Sequence, residues 1–279
     1  VALTVALAVG MRRMAKRHVI VQKLVAVEAL GSCTYIATDK TGTLTVNQLT
    51  VKKIVLPNEQ QWTVAGEGII PEGEIRNNNK SLSADENIIL ERLCHTAVLS
   101  NEAFLGHRDH SWTTHGDPMD VALLVLAHKA GFVKDDIKED YFEIDMIPYE
   151  SENQFSASFN KVNEIEIEVS VKGAYEKLLP MCSHMGITDE TSINQSLITK
   201  QAEKLASEGY RVLALASGKV DNENHLSESN LQNLTFIALI GVIDPLRSEA
   251  RAAVAACQQA GIDVAMVTGD HPVTAYAIA

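Results

Sequence analysis

Residues 34–45 read TYIATDKTGTLT. A short apolar run, 34–38, predicts a strand that ends at a single acid, Asp39. Lys40, Thr41, Gly42 and Thr43 follow. Asp and Gly suit a turn, because Asp hydrogen-bonds nearby backbone and Gly accepts positive φ. A turn has no use for two threonine hydroxyls or for Lys40.

Working outward, a second apolar run, TFIALIGVI (235–243), closes at Asp244-Pro245. RSEARAAVAACQQAG then reads as a helix from Ser248 to a stop at Gly261, and DVAMV (263–267) as a buried strand ending in Thr268-Gly269-Asp270. Strand, helix, strand is the pattern of a parallel α/β sheet, which binds ligands at the carboxyl edge of its strands. The middle of the chain differs. Ser83 and Glu86 form a capping box that opens a helix to Asn101, and Asp117-Pro118 opens another that Gly131 ends. QFSASF (154–159) and EIEIEVSV (164–171) alternate apolar and polar residues, as half-buried strands do, with NKVN (160–163) as a hairpin link. That register pairs Phe159 with Ile165 and sets Lys172 opposite Glu152. A helix over 195–208 ends at Gly209 and a strand follows it. RNNNKSLSADEN reads as a polar loop. The simplest architecture is an α/β domain interrupted by an inserted α+β domain, with joints near Asn47–Val51 and Ile243–Asp244.

The net charge of −12 argues against a general nucleic-acid binder. Cys33, Cys94, Cys182 and Cys257 are far apart, which favours reduced thiols in a cytosolic setting. The opening VALTVALAVGM is too short to cross a bilayer, for which about 20 residues are needed. Followed by Arg12, Arg13, Lys16 and Arg17, it reads as a buried helix or as the cut end of a membrane helix with a basic cytoplasmic flank. The start without Met and the stop in HPVTAYAIA point to a piece of something longer.

A carboxylate at a strand tip, above the N–H groups of Lys40–Gly42, is suited to accept a phosphoryl group. Phosphoryl transfer needs mainly positioning and charge neutralisation. Thr43 and Thr268 are the hydroxyl donors for phosphoryl oxygens, and Asp39 an oxygen ligand for Mg²⁺. Two residues after Asp39 stands Thr41, not a second acid that would activate water. An aspartyl phosphate here is expected to persist, as an energy-coupling device requires.

DKTGTLT (39–45) resembles the phosphorylation motif of the P-type ATPases, ion pumps with a haloacid-dehalogenase-like core. VKGAYE (171–176), DPLR (244–247), MVTGD (266–270) and GDPMD (116–120) resemble further motifs of that family in order, and the likeness runs the length of the chain. The large insert and the DPLR hinge resemble the type II branch of calcium and sodium/potassium pumps.

The resemblance implies a haloacid-dehalogenase-like parallel sheet interrupted by a nucleotide-binding domain with an antiparallel sheet. Its divisions would be a membrane-helix end and basic flank over 1–17, phosphorylation-domain segments over 18–47 and 244–279, and the nucleotide-binding domain over 48–243. It implies ATP and Mg²⁺, a transported cation, and a place on the cytoplasmic side of the cell membrane. Asp39 would take the phosphoryl group and ligate Mg²⁺ with the Thr41 carbonyl, within a catalytic set of Lys40, Thr41, Thr43, Thr268, Gly269 and Asp270. Asp120, Tyr149, Gln154, Lys172, Gly173 and Arg211 would bind nucleotide, with Asp244 and Arg247 bracing the hinge near phosphates or ribose. Gln154 stands where the family commonly has Lys, and Asp120 where it has Glu. The later Lys and GDGxND motifs do not occur in this chain, so the piece is expected to bind nucleotide without pumping.

Ordinary alternatives exist for several of these residues. Lys172 also reads as a solvated lysine on the face of Glu166 and Glu168, Tyr149 as core, Arg211 as a partner of Glu208, and Asp120 as a helix-dipole acid. The Glu run 164–168 reads as a strand's wet face, and HRDH (107–110) with His115 as a solvated loop. Rival functions are a soluble phosphatase on the same core and a nucleotide-sensing module without chemistry.

Overall fold

The chain begins with helices α1 (Ala2–Ala15) and α2 (Val25–Gly31), followed by strand β1 (Tyr35–Asp39). Strands β2 (Thr50–Val55), β3 (Gln61–Val64), β4 (Ile75–Asn77) and β5 (Lys80–Ser81) lead to helix α3 (Ala84–Leu99). A hairpin of β6 (Phe104–Arg108) and β7 (Ser111–His115) precedes helices α4 (Pro118–Lys129) and α5 (Lys134–Asp140). Then come β8 (Phe142–Ile147), β9 (Phe155–Lys161), β10 (Ile167–Gly173), α6 (Tyr175–Leu178), β11 (Cys182–Met185) and α7 (Gln195–Ser207). The chain continues through β12 (Arg211–Val220), β13 (Leu234–Ile243), α8 (Ala250–Gln259) and β14 (Asp263–Val267). This computed structural model describes residues 2–268 apart from 24, 110, 164–165, 187–190 and 221–225.

Two compact units result, one of residues 2–44 with 246–268 and the other of residues 45–245. In the smaller, β1 and β14 pair in parallel with Asp39 level with Val267. In the larger, the strands are ordered β5-β4-β3-β2-β13-β12-β10-β9-β8, all antiparallel, and β11 joins β13 in parallel. The large antiparallel sheet in a mixed α/β chain agrees with the expectation for the insert. Among the described residues no helix is long and apolar enough to cross a membrane.

One expectation is corrected here. The 235–243 run is not the parallel neighbour of 263–267; it is β13, central in the antiparallel sheet between β2 and β12, and β14 pairs with β1 instead. Its residues alternate between the two cores, with Leu234, Phe236 and Leu239 in one and Ala238, Ile240 and Val242 in the other. A strand covered on both faces is apolar throughout in either kind of sheet, so its composition does not report the direction of its neighbours.

Both faces of the sheet are layered with helices. α3 and α4 cover one and α6 and α7 the other. For this reason β9 and β10 are not half-buried. Residues 155–160 are all buried, including Ser156, Ser158 and Asn160. Their hairpin is also longer than NKVN allows, because Phe159 pairs with Val169. Lys172 therefore lies opposite Ser156, not Glu152. Ile165 lies outside the described residues.

Local chemistry explains the other element boundaries. The Ser83 side chain accepts from Glu86 N–H while the Glu86 carboxylate accepts from Ser83 N–H at 2.7 Å, as the capping box predicts. Asn78 and Asn79, at φ 49° and 62°, make the tight turn joining β4 to β5. The stretch read as a polar loop thus contains a hairpin, since paired positive φ matches the twist of the flanking strands. His107 and Arg108, also read as loop, belong to β6, which pairs antiparallel with β7 and sets His107 opposite Trp112. His110 lies outside the described residues.

Candidate functional site

Lys172 is held on β10 between Ser156 of β9 and Leu215 of β12, on the face that α3 and α4 cover. Its side chain is 6% exposed, which rules out a solvated surface lysine, and its Nζ lies 2.6 Å from Asp120 Oδ1. Burial pushes the Lys172 ammonium pKa down, and Asp120, Glu102 and Asp117 pull it back up. A buried ion pair adds little net stability, because desolvation offsets the attraction.

The sequence places Asp120 through the start of α4. The Asp117 carboxylate caps that helix, accepting from Met119 N–H at 2.7 Å, and Pro118 sits in the first turn. Asp120 is thereby fixed in the first turn, facing the sheet, and its Oδ2 accepts from Glu102 N–H at 3.3 Å. Asn101, 4% exposed, donates from Nδ2 to the Asp120 carbonyl at 2.9 Å and accepts Ala103 N–H at 2.9 Å. Lys134 Nζ donates to the carbonyls of Asn101 and Ala103 at 2.6 and 2.8 Å. Its pKa is also lowered, by burial first and then by Lys138 and Lys172, against Asp120 and Glu143. Asn101, Glu102 and Lys134 were not legible in the sequence as parts of a site. The one signal was a lysine in the first turn of α5, where the helix dipole disfavours a cation.

Other expected binding residues gather at the same end of the sheet. β8 ends level with the start of β9, so the 148–154 loop carrying Tyr149 and Gln154 turns beside Gly173. Tyr149 is 58% exposed and is not core. Gln154 has φ 60°, its N–H donates to Glu150 O at 2.7 Å, and its carbonyl accepts Ala174 N–H at 2.9 Å. A Cβ on Gly173 would lie 2.5 Å from that carbonyl and 2.6 Å from Phe155 Cβ. Gly173 is therefore needed for close backbone approach. Arg211 begins β12 exposed and shares a face with Leu213 and Leu215, hence with Lys172. It does not pair with Glu208, whose carboxylate binds Lys53.

Asp244 is bonded within its own unit. It accepts Thr45 Oγ1–H at 2.5 Å and Gln48 N–H at 3.1 Å, tying the start of that unit to the end of β13.

The same sheet face, farther along, borders a cavity of about 340 Å³ lined by Arg92, His95, Tyr141, Glu168 and Lys219 among others. The Glu run is not simply a wet face. Glu168 is half-buried there, and burial raises its carboxyl pKa, with Arg92 opposing.

In the smaller unit, Asp39 is exposed at the carboxyl end of β1, and Thr268 follows Val267 directly at the same end of β14. Thr41 (φ −73°, ψ 123°) and Gly42 (φ 74°, ψ −11°) have the angles of a type II turn, which demands glycine at its third residue. Lys40 is buried at 5% exposure, whereas Thr41 and Thr43 are exposed. Arg247 donates from its backbone to Leu44 O at 2.9 Å and from its guanidinium to Gly42 O at 3.1 Å, buttressing the turn. Gly269 and Asp270 lie outside the described residues. The Asp39 carboxylate and the Thr41 carbonyl are hard oxygen donors of the kind Mg²⁺ takes. Among the described residues no group of three or more His, Cys, Asp or Glu side chains converges to hold a metal. These two donors fit the ion as part of a ligand set.

A family model described as P-type ATPase, cytoplasmic domain N, matches residues 89–249, more than half of the chain. Cation-transporting ATPase pma1 of Synechocystis is 42% identical across 99% of this chain and 31% of its own length. A calcium-transporting ATPase of Bacillus subtilis is 35% identical across 99% of the chain and 32% of its own length. For calcium-transporting ATPase type 2C member 1 of Bos taurus the values are 34%, 100% and 28%. The chain spans about a third of the length of the curated relatives it matches.

Proposed function

The chain belongs to the P-type ATPase family, and we propose that it is the ATP-binding and phosphoryl-accepting part of a cation-transporting pump. Its divisions are then a nucleotide-binding domain over 48–243 and segments of a haloacid-dehalogenase-like phosphorylation domain over 18–47 and 244–279. In the intact pump this part lies on the cytoplasmic side of the membrane. The relatives named as cation and calcium transporters support that cargo class.

The observation that carries the reading is the buried Lys172–Asp120 pair, 2.6 Å apart, at the sheet end that also bears Tyr149 and Arg211. An aromatic face, a buried ammonium–carboxylate pair and an outlying arginine match a purine, its polar edge and a phosphate tail. In the other unit, the exposed Asp39 carboxylate is the nucleophile. Its oxygen bonds to the γ-phosphorus, the bond from that phosphorus to the β–γ bridging oxygen breaks, and ADP departs. Thr43 and Thr268 donate to phosphoryl oxygens. Asp39 and the Thr41 carbonyl would hold Mg²⁺, which supplies charge neutralisation when bound.

Calorimetry on this chain tests the nucleotide site. Tyr149→Ala and Lys172→Ala should each weaken ATP binding, and Asp39→Asn should leave it nearly unchanged; the reverse ranking would move the site elsewhere. In the full-length protein, γ-labelled ATP should leave a hydroxylamine-sensitive label that Asp39→Asn abolishes. A sensing module would show no label.

A further inference from the structure

We propose that Lys129 is a carbon dioxide site: its side-chain amine adds CO2 reversibly, and the Lys52 ammonium holds the carbamate that forms. Lys129 stands in the last turn of α4, anchored by the buried residues 121–127 of the same helix. Its Nζ donates to the Ala65 carbonyl at 2.7 Å. Lys52, on β2, donates from Nζ to the next carbonyl along, that of Gly66, at 3.0 Å. Two amines are thus held on adjacent peptide units. The loop that presents these carbonyls is fixed. Ala65 N–H donates to Glu74 O at 3.0 Å, Gly66 has a φ of 80°, and a Cβ on Gly66 would lie 1.9 Å from Glu72 O. That Cβ would also lie 3.0 Å from Lys129 Nζ, so the amine rests against the glycine.

Charge around the two amines is lopsided. Both bind neutral carbonyls, and the carboxylate that pairs there, Glu67, is exposed and 3.4 Å from Lys52. Burial, with Lys52 second, pushes the Lys129 pKa down to about 8, and Glu67 opposes. At pH 7 about one such amine in ten is neutral, against about one in three thousand at an ordinary lysine pKa. Lys172 and Lys134 are engaged, the first with Asp120 and the second with two carbonyls. Lys129 makes one hydrogen bond among the described residues. The lone pair of the neutral amine attacks the carbon of CO2. An N–C bond forms, one C–O π bond opens onto oxygen, and the nitrogen releases one proton to water, with no leaving group and no redox change. The carbamate nitrogen keeps one N–H for the Ala65 carbonyl. The new anion meets Lys52, whose ammonium has three donors and can turn from Glu67 without leaving Gly66. The last turn of a helix disfavours an anion, so Lys52 is what holds the product.

The test is to equilibrate the whole chain with ¹³C-labelled bicarbonate and CO2 near neutral pH. Triethyloxonium then traps carbamates as their ethyl esters, and mass spectrometry of the digested chain locates the label. Lys129 should carry at least about fivefold more trapped label than any other lysine, because its neutral fraction is so much larger. Lys129→Arg, which keeps the charge and a donor for Ala65, should abolish that label. Lys52→Gln should cut it by about threefold or more, since it removes both the like charge that favours the neutral amine and the cation that holds the product. Circular dichroism checks that the variants fold, and the comparison among lysines of the unaltered chain needs no variant at all. Label on Lys129 no greater than on exposed lysines, or label unchanged in a folded Lys52→Gln chain, would overturn the proposal.

Discussion

Gly173 shows how one missing methyl group serves a site. The strand that delivers Lys172 ends where Gln154 folds over it, and a Cβ at Gly173 has no room against the Gln154 carbonyl. Gly173→Ala should cost about 1–3 kcal/mol in urea unfolding, the range for overpacking a closed contact. It should also loosen nucleotide, because the lip must shift to admit the methyl. Unchanged stability would show that the lip yields freely. At this scale the sequence was informative where a residue has a single use. Asp117, Gly42 and Ser83 declared a cap, a positive-φ turn and a capping box. Lys172 did not declare its burial, because an alternating strand reads the same whether its polar face meets water or a helix.

At the scale of elements, caps and turns hold the helices that carry the site. α3 begins at a reciprocal Ser83–Glu86 box, and Glu86 also accepts Asn77 Nδ2 at 2.6 Å, tying the helix start to β4. Those bonds to Ser83 and Asn77 hold the Glu86 carboxyl pKa below its usual value. Ser83→Ala should therefore lower unfolding stability by about 1 kcal/mol, the ordinary worth of such a cap. Chemical denaturation checks the value, and no loss would mean that Glu86 and Asn77 suffice. Helix limits were readable because caps are local. Two hairpins, β4–β5 and β6–β7, were missed because their strands are short and polar and their pairing, not their composition, makes them strands. The register of β9 against β10 was missed for a related reason: Phe159 pairs with Val169 and not with Ile165, and a shift by an even number of residues leaves every side chain on its own face, so the alternation does not discriminate.

At the scale of the molecule, both hydrophobic clusters of the larger unit lie within 45–245, from Val51 to Val242. A chain cut to 45–245 should unfold cooperatively and bind ATP within about twofold of the whole chain, if the site is complete in that unit. Thermal melts and calorimetry decide this, and a piece that fails to fold would show that the cores need the rest. Residues 39–45, 116–120, 171–176, 244–247 and 266–270 were enough to place the chain in its family, because several short motifs in a fixed order are far more specific than any one of them. They did not say that 235–243 belongs to the antiparallel sheet, or that Lys172 meets Asp120 across 52 positions of chain. Motifs are local and survive in one dimension. Strand direction, register and the burial of a charge depend on which distant segments pack against it, and only the folded chain makes that choice.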